Sequence, residues 1–175
     1  MRKIISSVVM GLVCLLTTTG CAPLITPPFS PEVMKNVNKS LTFDTVRQNP
    51  ESYKGAVILV GGEIIGTTSV SEGVTQIEVN QTPLDDYGVP MIQPGSGRFL
   101  ILTHEPLDPE KIFPRRRLTV VAEVMGVKRQ KLGGMDYPYV LLRANVLHLW
   151  QAPGERSLHP TVYYPWEVTP KVRGR

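Results

Sequence analysis

The sequence has little cysteine and no apolar run long enough to cross a bilayer. Its 175 residues include two cysteines, Cys14 and Cys21, too few for a disulfide framework or a cysteine-rich zinc site. The most apolar stretch, residues 4–16, is shorter than the roughly 20 residues that a transmembrane helix needs. Neither charge sign dominates, since 19 Lys and Arg face 15 Asp and Glu. A nucleic-acid partner is therefore not expected, because such proteins usually carry a strong basic bias.

The first twenty residues have the pattern of a secretory signal. Arg2 and Lys3 form a short cationic start, residues 4–16 form the apolar region, and small polar residues follow. This order of charge, apolar core and small-residue exit is typical of a cleaved export signal. We therefore predict that residues 1–20 are a signal peptide and are removed.

The exit of this segment resembles the lipobox of bacterial lipoproteins. It reads Thr17-Thr18-Thr19-Gly20-Cys21, with Thr18 where leucine is usual. The resemblance implies cleavage between Gly20 and Cys21 and a covalent diacylglycerol and N-acyl lipid on Cys21. In lipoproteins of this type an aspartate after the cysteine typically retains the protein in the inner membrane. Ala22 stands there and favours the outer membrane.

The predicted mature chain has 155 residues and 17 basic against 15 acidic side chains. That length fits one small domain with extensions. Residues 21–40 contain several prolines and predict a tether behind the lipidated cysteine. Residues 41–151 predict the folded domain, and residues 152–175 predict an irregular tail rich in proline and aromatic side chains.

Periodicity within residues 41–151 is mainly that of β-strands. Alternating apolar residues predict strands at 57–65, 75–79, 98–102, 117–127 and 139–150, with Leu118, Val120, Ala122 and Val124 on one face. Residues 81–97 predict a long loop, and Asp108-Pro109 predicts the start of a short helix. The predicted fold is a small five- to six-stranded OB-like β-barrel with one or two short helices.

Catalytic and metal-binding patterns are absent from the sequence. The mature chain has His104, His148 and His159, none linked by a motif to a serine nucleophile or placed at chelating spacing. His148 lies between Leu147 and Leu149 and is interpreted as a structural strand-end histidine beside Trp150. We predict no enzyme activity, no cofactor and no metal.

Two surface features are candidate contact sites. Arg115-Arg116-Arg117 is the densest charge cluster, either a solvated turn or a contact for lipopolysaccharide phosphates or anionic glycan. Tyr163, Tyr164 and Trp166 lie in the tail, either covering the barrel or docking a partner.

An ordered series of short motifs occupies residues 43–55, 60–64, 83–85, 97–99, 107–109, 118–126, 137–139 and 148–150. Taken together, the motifs resemble the Slp family of outer-membrane lipoproteins. Arg116 and Ala122 depart from the pattern of that family, since glycines are expected there.

The resemblance implies an outer-membrane lipoprotein without established catalysis, facing the periplasm and acting in envelope maintenance under stress or starvation. The alternative is an envelope binding module that presents barrel loops or the aromatic tail to a protein or glycan. An envelope hydrolase is a third, less favoured hypothesis.

Overall fold

The structure, a computed structural model, describes residues 28–104 and 107–151, and the backbone of residues 161–163. Helix α1 spans Pro31–Lys35 and helix α2 spans Phe43–Gln48, followed by a 3-10 helix at Pro50–Tyr53. The six strands are β1 (Val57–Ser71), β2 (Val74–Gln81), β3 (Arg98–Thr103), β4 (Arg117–Leu132), β5 (Met135–Leu149) and β6 (Thr161–Tyr163).

Five of these strands form a closed ring. Antiparallel pairs join β3 to β2, β2 to β1, β1 to β4 and β4 to β5, and a parallel pairing of β3 with β5 closes the circle. The parallel pair aligns Phe99 with Val140 and Leu102 with Arg143. The mainly β fold of five to six strands with two short helices is confirmed, and the ring is the arrangement that an OB-like architecture requires.

The core fills the inside of this ring. Alternation predicted one inward face of β4, and this is confirmed. All four of its residues belong to the main buried cluster: Leu118, Val120, Ala122 and Val124. They meet side chains from the other four strands and from α2, and Val46 of that helix is fully buried. Alternation identified these residues because successive side chains of a strand point to opposite faces.

A bulge in β5 changes which side chains face the core. Val121 pairs with Val146 but Ala122 pairs with Ala144, so Asn145 is an extra residue in the ladder. Beyond it Leu147 and Leu149 point inward, while Val146 joins a second cluster. From the sequence, alternation predicts that Val140, Leu142, Ala144 and Val146 share one face of this strand. For Val146 that prediction is wrong.

The chain between residues 29 and 37, expected to be tether, packs against the outside of the ring. Ser30 caps α1 by accepting from the Val33 N–H, and Pro31 occupies the first turn. Phe29 and Val37 are buried against Val121 and Val146, which point away from the main core. Packed structure thus starts before the expected boundary at Leu41, because this outer apolar surface needs cover.

The short helix expected at Asp108-Pro109 is a single turn. The Ile112 N–H donates to the Asp108 carbonyl at 3.2 Å, and the Asp108 carboxylate accepts from the Glu110 N–H at 3.0 Å. Pro114 disfavours a helical conformation for the residue before it. The turn ends with Ile112 buried in the core, so the helix prediction is wrong.

Candidate functional site

The arginine run lies where the chain enters β4, and only its first member is exposed. Arg115 has a φ of 70°, in the left-handed region that few residues other than glycine adopt. Its N–H donates to the Ile64 carbonyl at 2.7 Å, which fixes the turn to β1. The side chain of Arg115 is therefore held out toward solvent at a defined point.

Arg116 and Arg117 are drawn back into the protein. Arg116 is 3% exposed, its Nε donates to the Trp150 carbonyl at 3.1 Å, and its guanidinium lies 5.4 Å from the Phe113 ring centroid. Arg117 is half-buried, and its Nη1 donates to the Pro90 carbonyl at 2.9 Å. The expected three-arginine surface is thus one exposed cation backed by two that brace the fold.

All three arginines line one cleft of about 400 Å³ at this end of the ring. Glu63 contributes a half-buried carboxylate to the same cleft, and Gln151 contributes an amide. Ile92 and Phe113 give it an apolar side. The combination of exposed apolar groups and excess positive charge suits an amphipathic, anionic surface.

Beside this cleft, His148 and Trp150 form a packed aromatic group. The two rings meet edge to face at 4.4 Å, and Phe29 meets His148 at 6.5 Å. The Trp150 Nε1 donates to Thr119 Oγ1, which donates to the Gly88 carbonyl at 2.6 Å. The group ties the N-terminal segment, β4 and the 81–97 loop together.

His148 is not a poised catalytic base. It is 5% exposed, and its Nδ1 has no hydrogen-bond partner within the described part of the chain. Burial, with a smaller contribution from the Arg116 charge, lowers the pKa of His148 to about 4. The ring is neutral at pH 7 and aromatic side chains enclose it, which supports the structural interpretation from the sequence.

Neither metal binding nor hydrolysis is supported by a group of suitable side chains among the described residues. His104 is exposed, and His159 lies outside the described residues. No group of three potential metal ligands occurs among the residues that the structure describes. A second cleft of about 500 Å³, between α2 and the end of β2, is lined by one carboxylate, Asp44, and by no histidine. It lacks the paired groups that hydrolysis requires.

A polar group at the closure of the ring was not identified from the sequence. Glu78 accepts from Arg98 at 2.8 Å and from the Tyr139 hydroxyl at 2.9 Å, which connects β2, β3 and β5. Burial raises the pKa of Tyr139, and the hydrogen bond to Glu78 adds to the effect. Tyr137 accepts from the Arg98 N–H at 3.2 Å. These residues lie far apart in sequence, so only the pairing of β3 with β5 reveals them.

The remaining predicted site residues fall at the ends of the chain. Gly20, Cys21, Tyr164 and Trp166 lie outside the described residues, and Tyr163 is described only as part of the β6 backbone. Their roles stay predictions. Within the described ranges, no helix is long and apolar enough to span a bilayer.

The fold and its clefts define a small β domain with a basic, partly apolar end and no assembled catalytic group in the part described. Comparison with known proteins gives the family. Residues 18–173 match the outer membrane lipoprotein Slp family, and the chain belongs to that family. A protein of Haemophilus influenzae named only as uncharacterized is 29% identical over 110 residues, or 62% of this chain. The chain spans 56% of the length of that relative.

Proposed function

We propose that the chain is a non-catalytic lipoprotein held on the periplasmic face of the outer membrane by diacylglycerol and N-acyl lipid on Cys21. The observation that carries this proposal is the extent of the family match. It begins at residue 18, before the Gly20-Cys21 pair, and so includes the predicted lipidation site as well as the β domain. Two acyl signals suffice for stable anchoring, and the predicted lipid has three chains.

The role proposed for this protein is envelope maintenance under stress or starvation. Support comes from membership of the outer-membrane family and from the burial of His148, which lies beside the basic cleft. The closed β ring and its packed core suit a stable domain.

Palmitate labelling tests the anchor. Radiolabelled palmitate is supplied to cells that make the wild-type chain, Cys21→Ala or Cys14→Ala, and the membranes are fractionated. Wild type and Cys14→Ala are expected to carry label in the outer-membrane fraction, because Cys14 leaves with the signal. Cys21→Ala is expected to lose both label and membrane recovery. A labelled Cys21→Ala, or an unlabelled wild type in the soluble periplasm, would contradict the proposal.

A complementation experiment tests the role. Cells lacking the protein are starved for carbon and challenged with a detergent that intact outer membranes exclude. We expect increased sensitivity that the wild-type gene reverses and Cys21→Ala does not. Equal sensitivity of all strains would reject the envelope-maintenance role while leaving the anchor intact.

A further inference from the structure

We propose that a docking face formed by Ile92, Phe113 and Arg115 contacts the phospholipid surface to which the chain is anchored. The inference rests on the proposed lipid anchor at Cys21 and adds to it a defined orientation of the β domain. The occupant is the phospholipid headgroup region of the membrane that carries the anchor, and the argument concerns that surface alone.

The docking face exposes two apolar side chains close to its arginine. Ile92 is 90% exposed and Phe113 is 36% exposed. Single exposed apolar residues are common, but these two line the same cleft as three arginines. Apolar side chains beside arginines are the composition of surfaces that lie in the bilayer interface.

The charge of the cleft suits anionic headgroups. Arg115, Arg116 and Arg117 face one carboxylate, Glu63, within the cleft. Arg115 is the exposed member and is fixed by the backbone turn at residue 115. The backbone turn fixes where the Arg115 side chain leaves the fold, and its planar guanidinium can donate two hydrogen bonds to a phosphate.

The N-terminal segment enters the fold next to this face. A Cβ placed on Gly88 would lie 3.8 Å from Pro28 Cδ, so Pro28 borders the loop that continues to Ile92. Arg117 and Thr119 bind the carbonyls of Pro90 and Gly88, which hold that loop against β4. Pro28 and Ile92 therefore lie at the same end of the molecule.

The length of the tether brings this end to the membrane. Pro28 lies seven positions after Cys21, a span of about 25 Å at full extension. Strand β4 runs from Arg117 to Leu132, a rise of roughly 50 Å if straight, and places the turn at Met135 at the opposite end. A lipid on Cys21 thus keeps the docking face within reach of the bilayer, while the Met135 turn lies at the far end of β4, roughly twice the length of the tether from it.

Site-directed labels on the full lipidated protein test this orientation. Acylated wild type has no free thiol, so Ile92→Cys and Met135→Cys each provide one labelling site. Met135 is the matched control, an apolar residue that is 75% exposed at the far turn. Each nitroxide-labelled protein is reconstituted into vesicles of phosphatidylethanolamine and phosphatidylglycerol, and its access to oxygen and to a water-soluble nickel chelate is measured.

The expected result is that the label at residue 92 becomes accessible to oxygen and protected from nickel, while the label at residue 135 stays exposed to nickel. Equal nickel exposure at both sites, with the protein floating on the vesicles, overturns the docking face and leaves the anchor standing. Failure of the protein to float with the vesicles rejects the anchor and the docking face together.

A charge variant supplies a second test. Arg115→Gly suits the positive φ and removes the cation, whereas Arg115→Lys keeps the charge. In the Ile92→Cys background, Arg115→Gly is expected to increase nickel access on vesicles containing phosphatidylglycerol, and Arg115→Lys to leave it nearly unchanged. No difference between the two variants would remove the electrostatic part of the proposal.

Discussion

At the scale of single residues, the burial of His148 has a thermodynamic consequence. The folded protein holds this ring neutral with a pKa of about 4, against about 6.5 in an unfolded chain. Between these two values the unfolded state binds a proton that the folded state does not. The free energy of unfolding therefore falls as the pH is lowered from about 6.5 to about 4. Below about pH 4 the ring is protonated in both states, and His148 causes no further change.

We predict that His148→Gln removes this part of the acid sensitivity. Urea unfolding of both proteins between pH 7 and pH 4 measures the effect, which for the wild type should reach about 3 kcal/mol from this group. The variant keeps the contribution of its carboxyl groups, so the difference between the two pH profiles isolates His148. Parallel profiles over the window would contradict a buried, neutral imidazole.

Gly62 is a position where the backbone of the neighbouring strand leaves no room for any side chain. A Cβ there would lie 2.0 Å from the Asn80 carbonyl oxygen of β2, whereas a Cβ at Gly66 in the same strand meets nothing within 4 Å. Strand β1 is thus pressed against β2 at Gly62 and open at Gly66. Gly61-Gly62 marks this close approach, and the bulge between β1 and β2 lies further on, between Ile64 and Gly66.

The substitution Gly62→Ala should destabilise the fold by about 3 kcal/mol, because the backbone of β2 would have to move. Gly66→Ala is the control and should change the free energy of unfolding by less than about 1 kcal/mol. Thermal unfolding followed by circular dichroism distinguishes the two. Equal melting temperatures for both variants would show that the backbone of β2 can move to accommodate the added methyl group at little cost in stability.

The arginine run marks a limit of sequence interpretation at this scale. Three consecutive cations suggested one surface, yet the left-handed turn at Arg115 directs only one of them outward. That turn depends on hydrogen bonds to Ile64, which lies 51 positions earlier in the chain. No local pattern encodes such a contact.

At the scale of elements, helix α1 acts as a cover for the outside of the ring. Alternation in β4 correctly predicts that Val121 lies on the face opposite the core. It does not indicate which side chain packs against Val121. The partner, Phe29, comes from a proline-containing segment without periodicity, so its packing was not predicted. Docking of α1 against Val121 and Val146 creates a second, smaller core.

Removal of the Phe29 side chain from this second cluster should therefore lower the stability of the whole domain. Phe29→Ala is predicted to lower the free energy of unfolding by about 3 kcal/mol, as large-to-small changes in buried sites do. Ile92→Ala removes an apolar side chain from an exposed position and should have little effect. Hydrogen exchange at the Met34 amide, which donates to the Ser30 carbonyl, reports whether α1 is released first. An unchanged stability for Phe29→Ala would mean that α1 is dispensable.

At the scale of the whole molecule, alternation identified the strands but not their closure. The parallel contact of β3 with β5 joins residues about 40 positions apart, and its register depends on the Glu78, Arg98 and Tyr139 group as well as on apolar packing. Strand identity is a local property, whereas the choice of neighbour is decided by the complete core. The order of the motifs indicates the family because they are spread over four of the five ring strands, β1, β3, β4 and β5.

The destination of the molecule should depend on a single residue next to the proposed anchor. Ala22→Asp is predicted to shift the protein from the outer to the inner membrane, while Ala22→Ser should leave it in place. Density-gradient separation of the two membranes, followed by immunoblotting, gives the distribution. Both variants remaining in the outer membrane would mean that sorting ignores residue 22.

Strand β6 has one more consequence, for the behaviour of many copies crowded on a membrane. It pairs with residues Leu147–Leu149 of β5, beyond the segment where β3 closes the ring, and so occupies an edge that would otherwise offer unpaired amides and carbonyls. Open strand edges recruit strands from other chains. By filling this edge from within, the chain protects itself against strand exchange and aggregation where neighbours share one surface.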